Sequence, residues 1–443
     1  MWIEKWEPED PEFWASTGRK IANRNLVLSV FTEHIGFSIW SLWAVMVLFM
    51  GPKYGLSVAD KFLLTSTPTL VGAVMRIPYS LAVARFGGRN WTVISAALLL
   101  IPTILCGIVM HPGTSLGTFV LVAAVAGLGG GNFASSMTNI NTFYPESRKG
   151  WALGLNAGGG NLGVAVIQIV ALIVLGTAGA LQPRIVLWVY LPLIVIAGTC
   201  ALLFMDNLSS VRNDTKAMRE VVKDAQCWVI SVLYIGTFGS FIGYSFAFGL
   251  VLQNQFHRTP VQAAAVTFLG PLLGSLSRPV GGWLADRFGG AKVTFANFVL
   301  MAVCAAVLIV AADAKSLAMY TIGFIALFIF SGVGNGSTYK MIPGIYHRKA
   351  LVSIDAGADK TEAMLAARRR SGALIGIAGA IGALGGVGIN LAFRASFAAA
   401  GSGTPAVVAF VAFYAVCFAL TWLVYLRTPV ASRQTSTLAT ARV

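Results

Sequence analysis

Apolar stretches long enough to cross a bilayer recur along this entire chain, and no water-soluble core could hide so many of them. A membrane-spanning helix needs roughly 17–25 mostly apolar residues. Such runs lie near 26–50, 62–84, 91–111, 115–139, 152–176, 184–205, 227–251, 262–285, 292–312, 318–340, 371–396 and 405–426. Lipid offers the backbone no hydrogen-bond partners, so each run must close its own bonds as a helix. Only 11% of the residues are charged, and the twelve spans leave no room for a soluble domain. The predicted fold class is an all-α polytopic membrane protein. Its expected organisation is an N-terminal segment (1–25), a six-helix bundle (26–205), a polar loop (206–226), a second six-helix bundle (227–426) and a tail (427–443).

The formal net charge of +15 would suit a nucleic-acid binder, but its distribution points to topology instead. With both termini inside, the outer loops hold Lys53, Lys61, Arg184, Arg258, Lys315 and Arg394. Arg76 and Arg278 lie within spans, and the other Lys and Arg residues are on the inner side. This positive-inside pattern predicts a multi-pass protein of the cytoplasmic membrane with both termini in the cytoplasm. Contact with anionic lipid is a secondary reading of the same charges. The five cysteines fall in or beside apolar spans with no CxxC spacing, as small hydrophobes rather than disulfide or metal sites. The N-terminal MWIEKWEPEDPEFWASTGRK is too acidic and aromatic for a signal peptide, and its tryptophans are expected at the membrane interface.

The spans are not independent of one another. Arg76 opens RIPYSLAVARFGGR and Arg278 opens RPVGGWLADRFGGAK, 202 residues apart, each with Arg-Phe-Gly-Gly nine residues on. Gly-Gly-Gly-Asn (129–132) and Gly-Val-Gly-Asn (332–335) repeat at an offset of 203. The chain is thus a duplication, with one intramembrane guanidinium per half. Each costs about 2.5–3.5 kcal/mol at mid-helix even on lenient insertion scales. Parallel halves with a site near the membrane midplane follow the logic of alternating access. The RFGG turns need glycine for positive φ and close approach. Arg85, Asp286 and Arg287 are candidates for a cytoplasmic gate of ion pairs, asymmetric because Ala84 stands where the second half has Asp286. The competing reading makes them topogenic loop charges only.

Glycine clusters at 127–136, 154–163, 332–337 and 376–388 let helix backbones approach closely in lipid. They are not phosphate loops, because no strand precedes them and no Gly-Lys-Ser/Thr ends them. Packing alone does not explain Asn132, Asn161 and Asn335, whose carboxamides need partners in the membrane.

Burial does not deprotonate arginine. One reading pairs Arg76 and Arg278 with internal acid, but Glu33 is the clear intramembrane carboxylate and cannot balance both. The other reading is a bound anion, and the parallel N–H donors of guanidinium match a planar oxyanion. Phe133, Tyr234 and Phe238 are candidate aromatic walls, or simply core. Glu33 and His34 are the one intramembrane pair fit for proton coupling, with plain helix–helix hydrogen bonding as the alternative. The run Ala-Arg-Arg-Arg-Ser at 367–371 is topogenic, or concentrates anions at the inner mouth.

The stretch GLGGGNFASSMTNINTFYPESRKGWALGLNAGGGNLGVAVIQ (127–168) closely resembles the first nitrate signature of the NarK-type nitrate/nitrite porters of the major facilitator superfamily. GALIGIAGAIGALGGVGIN (372–390) resembles the second signature, and YIGTFGSFIGYS (234–245) looks like the family's seventh span. The resemblance covers essentially the whole chain. It implies the major facilitator fold, with twelve helices in two pseudo-symmetric six-helix bundles, and carriage of nitrate and nitrite without ATP. It makes Arg76 and Arg278 the anion clamp, Phe133 and Phe238 its sandwich, and Asn161 and Tyr234 hydrogen-bonding partners. Gly159, Gly160, Gly163, Gly385 and Gly386 become the switch glycines. After Gly385-Gly386 the family often has a bulky aromatic, where this chain has Val387 and Gly388.

The twin arginines alone also permit a carrier of another small anion, and an anion channel or sensor is a third reading. No metal cluster, nucleophile motif or catalytic domain marks an enzyme, and no cofactor is expected. The expected partners are nitrate, nitrite, candidate protons and membrane lipid, with no nucleic acid, in a monomer. Coupling, by exchange or by proton symport, stays open.

Overall fold

The computed structural model describes residues 2–209, 211 and 214–427. The expected tail lies outside the described residues from 428 onward, as do positions 210, 212 and 213 of the polar loop. Among the described residues twelve long helices follow one another: α1 (Pro11–Phe49), α2 (Val58–Phe86), α3 (Gly88–Val109), α4 (Leu116–Phe143), α5 (Glu146–Thr177), α6 (Arg184–Phe204), α7 (Ala225–Gln255), α8 (Pro260–Phe288), α9 (Gly290–Asp313), α10 (Leu317–Asp355), α11 (Lys360–Ala400) and α12 (Thr404–Leu426). All but α2 are long and apolar enough to span a membrane by length and composition alone. Helix α2 has the length, 29 residues, but carries Asp60, Lys61, Arg76, Arg85, Pro68 and Pro78. Between α6 and α7 runs a short connector helix, Thr215–Val222.

The duplication is visible in local geometry. Helix α2 starts on a capping box in which Ser57 and Asp60 bond reciprocally. Helix α8 starts on the same device built from Thr259 and Gln262, with Pro260 at its first position. These boxes satisfy N–H groups the helix leaves open. Both RFGG turns place their first glycine at positive φ, 88° at Gly87 and 92° at Gly289, where a Cβ would be strained. Their second glycines are contact points. A Cβ on Gly88 would overlap the Asn139 carboxamide, and one on Gly290 would lie 2.7 Å from Met341 Cγ.

The chain forms two compact units. Among the described residues, the first comprises 2–209, 211, 243–275 and 387–402, and the second comprises 214–242, 276–386 and 403–427. In the first, α1 packs on α4 and α5, and α2 on α4. The halves of α7, α8 and α11 farthest from the RFGG turns also belong to it. Phe62 stacks on Phe393 and Phe397 (centroids 5.7 and 5.4 Å), Thr65 donates to Asn390 Oδ1 (2.7 Å), and Gln168 Nε2 to Ser245 O (2.9 Å). In the second, α9 packs against α10 and α12.

Among the N-terminal tryptophans, Trp6 departs from expectation, while Trp2 is 50% exposed. A two-residue parallel ladder joins β1 (Trp2–Ile3) to β2 (Asn207–Leu208). Trp6 is buried edge-on between Phe13 and Phe143, in a cluster with Leu26, Tyr144 and Leu208. Trp6 thus joins the protein core, because the polar loop after α6 folds back beside it through Leu208 and Val211.

Candidate functional site

In the first unit, α2 holds Arg76 at 1% exposure. Its guanidinium carbon lies 4.5 Å from the Phe133 ring centroid and 5.4 Å from that of Trp40. Such cation–π contacts strengthen when desolvated. Trp40 is held by donation from Nε1 to Pro68 O (2.7 Å) and by an edge contact with Phe37. The glycine run makes room for it. A Cβ on Gly130 would lie 2.7 Å from Gly72 Cα and 2.8 Å from Trp40 Cε2, and one on Gly131 would meet the Tyr79 ring at 2.7 Å. The glycines of 129–131 therefore seat the aromatic wall beside the arginine. Asn161 is buried on α5, its Oδ1 without a hydrogen-bond partner among the described residues.

In the second unit, α8 holds Arg278 at 7% exposure. Its Nη2 donates to Tyr234 Oη (3.4 Å), and its guanidinium carbon lies 5.2 Å from the Tyr339 centroid. Among the described residues its Nη1 is buried without a hydrogen-bond partner. Tyr234 stacks on Phe238 (5.2 Å, 7°) and leans on Tyr339 (4.4 Å). Tyr339 donates its hydroxyl to Ile375 O on α11 (3.1 Å). Helix α7 widens here into a π-helical turn, Ile235–Gly239, which contains Phe238. Turns of this kind concentrate at functional sites. It is accommodated by α11, since a Cβ on Gly385 would lie 2.8 Å from Gly239 Cα and 2.9 Å from Ile235 O. Gly386 is the next residue of the same helix.

Glu33 and His34 bond to different partners on α5. Glu33 Oε2 accepts from Asn156 Nδ2 (2.7 Å), which also bonds Ser136 Oγ (2.5 Å) and, through it, Ser29 (2.9 Å). His34 Nδ1 meets Gly159 O (3.1 Å). Both residues thus face α5, where Gly160 and Gly163 leave no space for a Cβ against the Glu33 carboxylate and the His34 carbonyl.

At the RFGG end, Asp286 pairs with Lys340 of α10 (2.9 Å) rather than with Arg287. Arg85 lies over Phe86, and Arg287 over Trp283 and Phe288. The arginine run at 367–371 is occupied. Arg369 binds Asp214 through both Nε and Nη2, and Arg370 Nε binds Glu220 (2.9 Å). With Lys349 to Asp224 at the N-cap of α7 (2.5 Å), these pairs strap the connector helix and the start of α7 to α10 and α11. Arg369 and Arg370 are spent on carboxylates and do not form a free anion funnel.

Trp40, Tyr339 and Asn156 were missed by sequence reasoning. Tyr339 had a signal, because it lies four residues after Asn335 and so shares its helical face. Trp40 sits in an almost wholly apolar run and offered none.

The Major Facilitator Superfamily model matches residues 26–353. The nitrate/nitrite transporters NarU of Salmonella typhimurium and Escherichia coli are 39% and 38% identical to this chain, each alignment covering 96% of both proteins. A probable nitrate/nitrite antiporter, NarK2 of Thermus thermophilus, is 31% identical over 96% of this chain and 97% of its own length. In fold, the chain is similar to an inward-facing, occupied bacterial homologue of the lysosomal transporter Spinster, with a TM-score of 0.64, 16% identity and coverage of 90% of this chain and 95% of that one. The chain belongs to the NarK-type nitrate/nitrite porters of the major facilitator superfamily.

Proposed function

We propose that this protein carries nitrate and nitrite across the cytoplasmic membrane by alternating access. The observation that carries the reading is a buried arginine faced by aromatic rings in each unit, in a chain so similar along its length to nitrate/nitrite transporters. Arg76 and Arg278 bind the anion's oxygens, Phe133 and Phe238 flank its flat faces, and Tyr234 and Asn161 supply hydrogen bonds. The open Nη1 of Arg278 and Oδ1 of Asn161 support those roles, since unpaired buried polar atoms are costly unless something fills them. An anion that neutralises the site lowers the cost of moving buried charge, which favours switching of the loaded carrier.

Gly159, Gly160, Gly163, Gly385 and Gly386 let α5 and α11 shift against α1 and α7. The RFGG end faces the cytoplasm, as the excess of Lys and Arg there supports. The pairs of Phe62 with Phe393 and of Thr65 with Asn390 are contacts that must part when the opposite end opens. The cargo feeds a cytoplasmic nitrate reductase, as in nitrate assimilation, or leaves as its nitrite product. A monomer suffices, and lipid surrounds it.

The test is nitrate uptake into proteoliposomes under two drives. One set is loaded with nitrite and has no pH gradient; the other holds no anion and has an acid exterior. Uptake in the first alone makes the protein an exchanger, and uptake in the second makes it a proton symporter. Uptake in neither, from intact reconstituted protein, refutes the function.

A further inference from the structure

At the end of the first unit opposite its RFGG turn lies a cavity of about 820 Å³. It is walled by the last turn of α1, the start of α2, the α3–α4 and α5–α6 connections, the end of α7 and the start of α8. Lys53, Lys61, Arg184, Arg258 and His111 line it, and no residue lining it is an aspartate or glutamate. Four of the six Lys and Arg assigned to the outer loops thus converge on one cavity. The neighbouring carboxylate, Asp60, is turned away into the helix cap, bonded to Ser57 N (2.9 Å) and Oγ (2.7 Å). Lys61 is fixed by donation to Met50 O (2.5 Å), and Arg258 by donation from Nε to Phe256 O (3.1 Å). The turn that presents Arg258 passes through His257 at a φ of 51°, a conformation uncommon for any residue but glycine. Basic residues from separate loops, gathered without a counter-ion, form an attractive field for small anions.

We infer that this cavity is an outer collecting site for monovalent inorganic oxyanions, which raises their concentration at the mouth and sets the outward-side KM. The inference rests on the proposed function and orientation. Clefts of one charge sign raise on-rates by about 10- to 1,000-fold, steeply dependent on ionic strength. This one is wide and solvent-exposed, so roughly the lower end applies.

The test is initial nitrate uptake by the full-length protein in right-side-out and inside-out membrane vesicles preloaded with nitrite. The triple variant Lys53→Gln, Arg184→Gln, Arg258→Gln should show an outer KM raised roughly three- to tenfold at low salt, with kcat unchanged. The rise should vanish in high salt and be absent in inside-out vesicles. Arg184→Lys with Arg258→Lys keeps the charge and should behave as the unaltered protein. If the triple variant does not accumulate in the membrane, Lys53→Gln alone, on an exposed loop, should raise the low-salt KM about twofold. An unaltered low-salt KM, or a rise that persists in high salt, overturns the collecting site. No nitrate uptake by the unaltered protein, either in these nitrite-loaded vesicles or with an acid exterior, would instead sink the transport reading.

Discussion

Replacing Gly385 with alanine tests the idea that α11 is glycine-rich because α7 widens against it. The new Cβ would lie 2.8 Å from Gly239 Cα, 2.9 Å from Ile235 O and 3.0 Å from Ile235 Cγ2, against an ordinary contact of 3.4–4 Å. Two of these neighbours are backbone and cannot swing aside. The helices must separate by roughly 1 Å, and a gap of that size forfeits a quarter to a half of each dispersion contact. Overpacking of this kind costs about 1–3 kcal/mol. The separation also draws Gly382 away from the Tyr234 ring it abuts, so Tyr234 loses its register with Arg278. Gly376 on the same helix is the control, because a Cβ there meets nothing within 4 Å and alanine gains up to about 1 kcal/mol in helix propensity. Melting followed by size-exclusion of detergent-solubilised protein, with uptake in proteoliposomes, reads both. Gly385→Ala should melt several degrees lower and carry nitrate roughly tenfold more slowly, 1.4 kcal/mol being a factor of ten. Gly376→Ala should match or exceed the parent. Unchanged melting and uptake in Gly385→Ala would falsify the close-approach argument.

Arg76→Lys or Arg278→Lys should cut transport at least tenfold, because an ammonium keeps the charge but loses the planar fork; near-normal uptake in either disproves its role. Glu33→Gln should abolish acid-driven uptake while sparing nitrite exchange, and an unaltered pH dependence removes Glu33 from coupling. The connector straps carry a pH dependence of known sign. Hydrogen bonding from Arg369 holds the Asp214 carboxyl below its usual value. Burial pushes Asp224 up, but bonds from Lys349 and Gln226 N–H leave it lowered on balance. A lowered folded pKa stabilises above the unfolded value near ~3.9 and loses that contribution as pH falls through the folded value. Limited proteolysis of the connector should therefore accelerate only below about pH 4, and Asp214→Asn should accelerate it at neutral pH; equal cleavage of parent and variant argues against the strap.

What the sequence discloses and what it conceals divide along the range of the interaction. The RFGG turns were legible because positive φ at Gly87 and Gly289 is a local demand that glycine meets. The twin arginines were legible because a guanidinium is too costly in lipid to be incidental. The tertiary partners of those same residues were not. Nothing near Trp40 announces that Gly72 and Gly130 are cut away to seat it. Nothing near Arg369 announces Asp214, 155 residues earlier in the chain. For the run at 367–371, the reading as a mouth for anions stayed open beside the topogenic one because its counter-ions lie on another element. The outer loops held the converse error of omission. Lys53, Arg184 and Arg258 were counted singly as outer-loop charges, and only their convergence gives them a collective field. A basic residue in this chain thus acquires its meaning from whether a carboxylate is folded against it. On the connector side the carboxylates are present and the charge is structural. In the outer cavity they are turned away, and the charge is left for something that arrives from solution.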